Sequence, residues 1–151
     1  MKRTKGLART AGLSRATGLT RTARKRRTIR DTGPSRAVRA LVLERDDHAC
    51  ARCGVNIVGR VASIHHRVRR SQGGRNTPEN LVTLCGSGVT ECHGWVHQNI
   101  TQAKVFGWLL DGTADPALEG VTYASERRPG MILWLTRAGK RTSVDPREVA
   151  A

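Results

Sequence analysis

The chain has 151 residues and a formal net charge of +15, from 27 Lys and Arg against 12 Asp and Glu. That length suits one domain with tails, because two independent cores would each have too little apolar surface to bury. A charge of this size calls for a partner with a dense run of negative charge, nucleic acid first and an anionic membrane as its rival, although no stretch approaches the roughly 20 apolar residues of a spanning helix.

The charge is concentrated at one end. Residues 1–30 hold eleven Lys or Arg and no acidic residue, whereas from Asp31 onward sixteen basic residues face twelve acidic ones. Gly6-Leu7-Ala8-Arg9, Gly12-Leu13-Ser14-Arg15 and Gly18-Leu19-Thr20-Arg21 recur every six residues and lead into Arg24-Lys25-Arg26-Arg27. Six residues do not keep one face of a 3.6-residue helix, and one Leu per repeat gives too little to bury. A disordered basic arm over residues 1–33 is expected, following a DNA backbone through Arg24, Lys25, Arg26 and Arg27; a merely solubilising tail is the alternative. The arm has no apolar block of the signal-peptide kind, so a soluble, cytoplasmic protein with reduced cysteines is expected.

Order is expected from Gly33-Pro34-Ser35, with Ser35 capping a helix to about residue 46 that places Val38, Leu41 and Val42 on one face. Cys50-Ala51-Arg52-Cys53-Gly54 reads as a tight metal-binding turn. A strand over residues 61–66 precedes a polar stretch, 67–79, with Gly73-Gly74 and Pro78, and a second strand over 81–84 follows. Residues 91 to about 99 read as a helix, and Thr101 as the cap of another ending near residue 110. Residues 111–119 read as loop, 131–135 as an apolar strand, and Ala138-Gly139 as a turn into 141–144. The expected class is α+β, with a zinc-stapled domain over 34–110 and an extension over 111–151 that contains a β-hairpin and no recognisable chemistry.

All four cysteines and all five histidines lie between His48 and His97. Cys50-x2-Cys53 presents two thiolates to one tetrahedral ion, and Cys85 with Cys92 closes a structural zinc site. The alternatives are four free thiols or a reactive redox pair. Six residues, Gly86-Ser87-Gly88-Val89-Thr90-Glu91, separate the second pair, so a flexible loop must bulge to return Cys92 to the ion. His65 and His66 are adjacent and point to opposite faces of a strand unless its end is distorted. His93 and His97 share one helical face and can grip one ion together. Two helical imidazoles plus one from the strand leave coordination positions free for water and phosphate, which is catalytic in character. His48 reads as a surface residue.

The ordered set Cys50-x2-Cys53-Gly54, Ile64-His65-His66-Arg67, Gly73-Gly74, Pro78-Glu79-Asn80-Leu81-Val82-Thr83-Leu84-Cys85 and Cys92-His93-x3-His97 resembles the HNH endonuclease family, whose site is the beta-beta-alpha-metal motif. Small bacteriophage members with a basic leader are especially similar. The resemblance implies a metal-dependent DNA endonuclease, nicking or cutting both strands, with His66 as general base and Asn80 orienting it. It places His65 at a metal-ligand position, makes His93 the last signature histidine, and makes His97 an additional ligand. The long spacing between Cys85 and Cys92 departs from the family pattern. One divalent ion (Zn, Ni, Co, Mn or Mg) suffices, as no carboxylate cluster is present to hold a second. Arg67, Arg69, Arg70 and Arg75 surround the base on a polar loop and are expected to touch DNA phosphates, which positions a duplex without reading its sequence. By family analogy the setting is phage DNA packaging beside terminase subunits in the cytoplasm of a bacterial host, with no membrane and no small-molecule substrate. A noncatalytic zinc-ribbon DNA-binding protein and a site-specific homing endonuclease remain the alternatives.

Overall fold

Helix α1 (Arg36–Arg45) begins where the sequence offers a cap: Ser35 Oγ accepts from the Val38 amide at 3.3 Å. The structure is a computed structural model and describes residues 33–124 and 130–149. The arm expected over 1–33, with Arg24, Lys25, Arg26 and Arg27, lies outside the described residues except for Gly33. Val42 turns the helix inward and is fully buried, whereas Leu41 stays partly exposed and packs on Gly139, where a Cβ would come within 2.5 Å of Leu41 Cδ2.

The helix ends in a buried polar clamp. Arg45 donates to the carbonyls of Pro78 and Leu81, each at 2.7 Å, and to both carboxylate oxygens of Asp46. Asp46 in turn accepts from the Thr83 amide at 2.9 Å and the Tyr123 hydroxyl at 2.8 Å. A buried ion pair offsets its desolvation only when its remaining hydrogen-bonding sites are filled. Here those partners tie α1 to two separate sheets.

Strands β1 (Ala62–His66) and β2 (Leu81–Cys85) form an antiparallel pair in which His65 faces Val82 and His66 faces Leu81. All of β2 is buried, so it is the floor of the domain, and β1 is its half-covered edge. Between them run two 3-10 turns, Arg70–Gln72 and Pro78–Asn80. Asn80 holds this connection in shape: its Oδ1 accepts from the Val68 amide at 2.7 Å, and its Nδ2 donates to the carbonyls of Val68 at 3.1 Å and Arg75 at 2.9 Å. Gly74 passes so close that a Cβ would sit 1.8 Å from the Val68 carbonyl oxygen, so no larger residue fits this path.

Helix α2 (Glu91–Gln98) packs on β2, and α3 (Ile100–Val105) follows. This last helix corrects two expectations. Thr101 lies inside it rather than capping it, because Asn99 occupies the junction and donates to the Trp95 carbonyl at 2.9 Å. It also stops well before residue 110, where Gly107 turns the chain with a φ of 69° and approaches the Gly120 carbonyl too closely for a side chain.

The remaining chain forms a three-stranded antiparallel sheet in the order β3 (Val121–Tyr123), β4 (Met131–Leu135), β5 (Arg141–Thr142), then a short helix α4 (Pro146–Val149). The β4–β5 turn closes with Thr136 and Lys140 paired and Gly139 at a φ of 77°. Val121, Tyr123 and Leu135 share one core with Val82, Leu84, Val96 and Leu109, so the C-terminal sheet is built onto the first. Arg67 seals the junction. Its guanidinium is fully buried and donates to five carbonyls, those of Gly107, Glu79, Pro116, Glu119 and Gly120, at 2.7 to 3.2 Å. The expectation that Arg67 touches DNA is therefore corrected: all its donors are spent inside the protein, and no surface of it reaches solvent. Among the described residues no helix is long and apolar enough to cross a membrane.

Candidate metal centres

The four cysteines converge although they come from three elements. Cys50 and Cys53 flank a tight turn after α1, Cys85 ends β2 and Cys92 opens α2. Their sulfur atoms all lie within 4.8 Å of one another, all four are unbridged, and Cys53 and Cys85 are 3.8 Å apart. A tetrahedral ion with Zn–S bonds of about 2.3 Å sets its sulfurs about 3.8 Å apart, so the donor set fits zinc. Burial pushes the Cys50 thiol up to about 11 and raises Cys85 as well. Such thiols stay protonated in apolar surroundings, and a soft cation is what makes thiolates of them. The six-residue loop does return Cys92. Gly86, at a φ of 84°, curls it so tightly that a Cβ would meet the Thr90 carbonyl at 2.3 Å, and Gly94 of α2 makes room for Val89.

Histidines 65, 93 and 97 form a second cluster, with ring centroids 4.8 to 5.3 Å apart and one ligand nitrogen each within 4.8 Å of the others. His65 Nε2 donates to the Trp108 carbonyl at 3.0 Å, which leaves the lone pair on Nδ1. A carbonyl acceptor of this kind fixes the tautomer of metal-binding histidines generally. His93 and His97 turn their Nε2 atoms toward each other at 3.1 Å, close to the roughly 3.3 Å between two nitrogens on a tetrahedral zinc. Burial, then the neighbouring rings, holds His65 down to about 3, and burial with His97 holds His93 to about 4. Burial also lowers His97, so all three are neutral near pH 7, the form that ligates. Three donors, with His97 exposed, fit a divalent ion while leaving one side open.

His66 follows His65 on the strand yet lines the same cleft, a cavity of about 310 Å³ shared by Ile64, His65, Arg69, Arg70, His93 and His97. Both rings line it although His65 and His66 are consecutive and each is still paired, with Val82 and Leu81. His66 Nε2 donates to Asn76 Oδ1 at 2.7 Å, so Nδ1 carries the free lone pair. Burial lowers its pKa against the opposing pull of the Asn76 bond, and the charges of Arg70 and Arg39 lower it further.

Two further corrections concern the residues around it. The Asn80 side chain does not hydrogen-bond His66; its three bonds go to Val68 and Arg75, and Asn76 makes the orienting hydrogen bond instead. Arg75 lines a separate cavity with Thr77, Pro78 and Arg137, whereas Arg69 and Arg70 stand at the histidine cleft. His48 is exposed, in keeping with its place beside the cysteine turn. Asn76, Arg39 and the Trp108 carbonyl escape a reading of the sequence, because each reaches its imidazole across a loop or from another element.

The family model described as HNH endonuclease matches residues 50–98, about a third of the chain and the part that carries both clusters. The matched stretch holds the β1–β2 hairpin, helix α2 and both clusters of candidate ligands. No curated protein and no solved structure matches the chain.

Proposed function

We propose that this protein is a metal-dependent DNA endonuclease that hydrolyses phosphodiester bonds at the cleft between His66 and the three-histidine cluster. The observation that carries the reading is the convergence of His65, His93 and His97 on the cavity lined by His66, with a free Nδ1 on the latter. His65, His93 and His97 would hold a divalent cation, which would supply Lewis-acid stabilisation of the charge that develops during phosphodiester hydrolysis. His66 Nδ1 accepts a proton from the attacking water, while the Nε2 proton stays on the bond to Asn76. Its lowered pKa keeps the ring neutral, and hence competent as a base, at neutral pH. Arg69 and Arg70, which have no carboxylate partner among the described residues, hold the phosphates on either side of the attacked bond. Asn80 contributes through the shape of the loop rather than by contact with the base. A zinc ribbon that only binds DNA needs the cysteines but gives no reason for three neutral imidazoles facing an open cleft.

His66→Ala tests the reading on supercoiled plasmid with added Mg, Mn, Ni or Zn. Loss of a positioned base is expected to slow nicking roughly 100- to 10,000-fold. A variant that nicks at the parental rate removes His66 from the chemistry.

A further inference from the structure

Arg52, inside the first cysteine turn, has contacts that the proposed chemistry does not use. Its Nη1 donates to Cys92 Sγ at 3.3 Å, and its guanidinium carbon lies 3.9 Å over the Trp95 ring and 5.8 Å from the Trp108 ring. It belongs to no ion pair among the described residues, and its Nε is buried without a partner. This half-buried guanidinium has a sulfur and two indoles in place of a carboxylate.

The same side chain reaches the other cluster. Trp95 stands on α2 between His93 and His97, and Trp108 offers its carbonyl to His65. The two indoles meet edge to face at 6.0 Å, and Trp108 is pinned by its own bond to the Thr122 carbonyl at 2.7 Å and by Phe106 stacked at 4.8 Å. One cation therefore touches a cysteine ligand, the helix that carries two histidine ligands, and the residue that orients the third. Cys92 is also the ligand that the six-residue segment after Cys85 must return to the other three.

We propose that Arg52 is a positioning residue for both clusters: its guanidinium donor holds the Cys92 sulfur in the fourth place of the cysteine set, and its stack on Trp95 and Trp108 carries the state of the cysteine site to the histidine site. The inference rests on both clusters taking metal ions, as proposed above. Full-length protein with Arg52→Met or Arg52→Lys separates charge from packing, since Met keeps apolar contact with the indoles and Lys keeps the charge. Cobalt(II) bound by thiolates is read from its charge-transfer absorption, and nickel(II) bound by the histidines from calorimetry with zinc already in the cysteines. Cobalt affinity is expected to fall about 10- to 100-fold in Arg52→Met and less in Arg52→Lys, and nickel affinity about fivefold or more in Arg52→Met. Variants within twofold of the parent for both ions overturn the inference, as does a Met variant that binds cobalt at least as well as the Lys one. If the parent itself gives no cobalt–thiolate absorption, the metal reading of the cysteines fails and the inference falls with it. Parental binding of both ions with unaltered variants defeats this inference and leaves the metal reading of the two clusters standing.

Discussion

The two ligand clusters come from the same stretch of chain, yet they end in opposite surroundings. Three of the four cysteines are buried and the set offers a complete tetrahedron, while the histidines grade from buried His65 to exposed His97 and offer only three donors. Helix α2 shows how small the difference in sequence is. Cys92 and Val96 turn inward, and His93 and His97, one residue further along, face the cleft. A shift of one residue rotates a helical side chain by about 100°, enough to exchange core for solvent. A closed donor set stabilises a fold; an open one leaves room for water and phosphate.

Five substitutions break or sharpen that contrast. The largest effect is expected at the closed site. Cys85→Ala removes a buried ligand, and since structural zinc contributes on the order of 10 kcal/mol, the variant should lose its cooperative melt and its bound zinc. A melt within a few degrees of the parent means that the cysteines do not staple the fold. At the open site the same kind of deletion should leave the fold intact. His93→Ala is expected to change stability by about 1 kcal/mol or less, and to slow cleavage roughly a thousandfold, since a Lewis acid contributes several kcal/mol. Unfolding of this variant would erase the distinction between the clusters.

The two asparagines divide in the same way. Asn80→Ala leaves the buried amide and carbonyl of Val68 and the carbonyl of Arg75 without partners, at a cost of about 2–3 kcal/mol in a urea titration. Asn76→Ala should cost less than about 1 kcal/mol and instead move the pH–rate profile. The bond from His66 raises that ring's pKa, so its loss lowers the pKa and shifts the acid limb of the profile to lower pH. A profile that stays in place takes Asn76 away from the base. The smallest effect belongs to the rim. Arg70→Gln should reduce the slope of log K against log salt for DNA binding by about one, measured without a cleavage-supporting ion. An unchanged slope means that Arg70 meets no phosphate.

Much of the scaffold is legible in the sequence. The Ser35 cap, the strand ending at His66, the second strand from Leu81 and the helix from Glu91 all follow from local chemistry and lie where the sequence puts them. Strand β3 is not legible, because three residues carry too little periodicity to stand out, and its neighbours on both sides look like loop. Arg67 reads as a surface charge for a related reason: it sits among three other arginines on a polar stretch, and only the return of residues 107–120 over it buries the guanidinium. Asn80 reads as a partner of His66 because the two share a motif, but a motif preserves order along the chain and not contact.

By itself the sequence determined which side chains were offered: cysteine and histidine at spacings that suit metal, capped elements to carry them, and a surplus of positive charge. Those are local properties, set by bond geometry within a turn or a helix. Only the tertiary structure decided which offers met. The four-cysteine set, the three histidines beside His66, the Asn76 contact and the Arg52 stack each join residues from separate elements, and their closeness depends on how β1, β2 and α2 pack around a shared core. Packing of that kind is settled by the whole chain at once, since each element buries its apolar face only when the others are already in place.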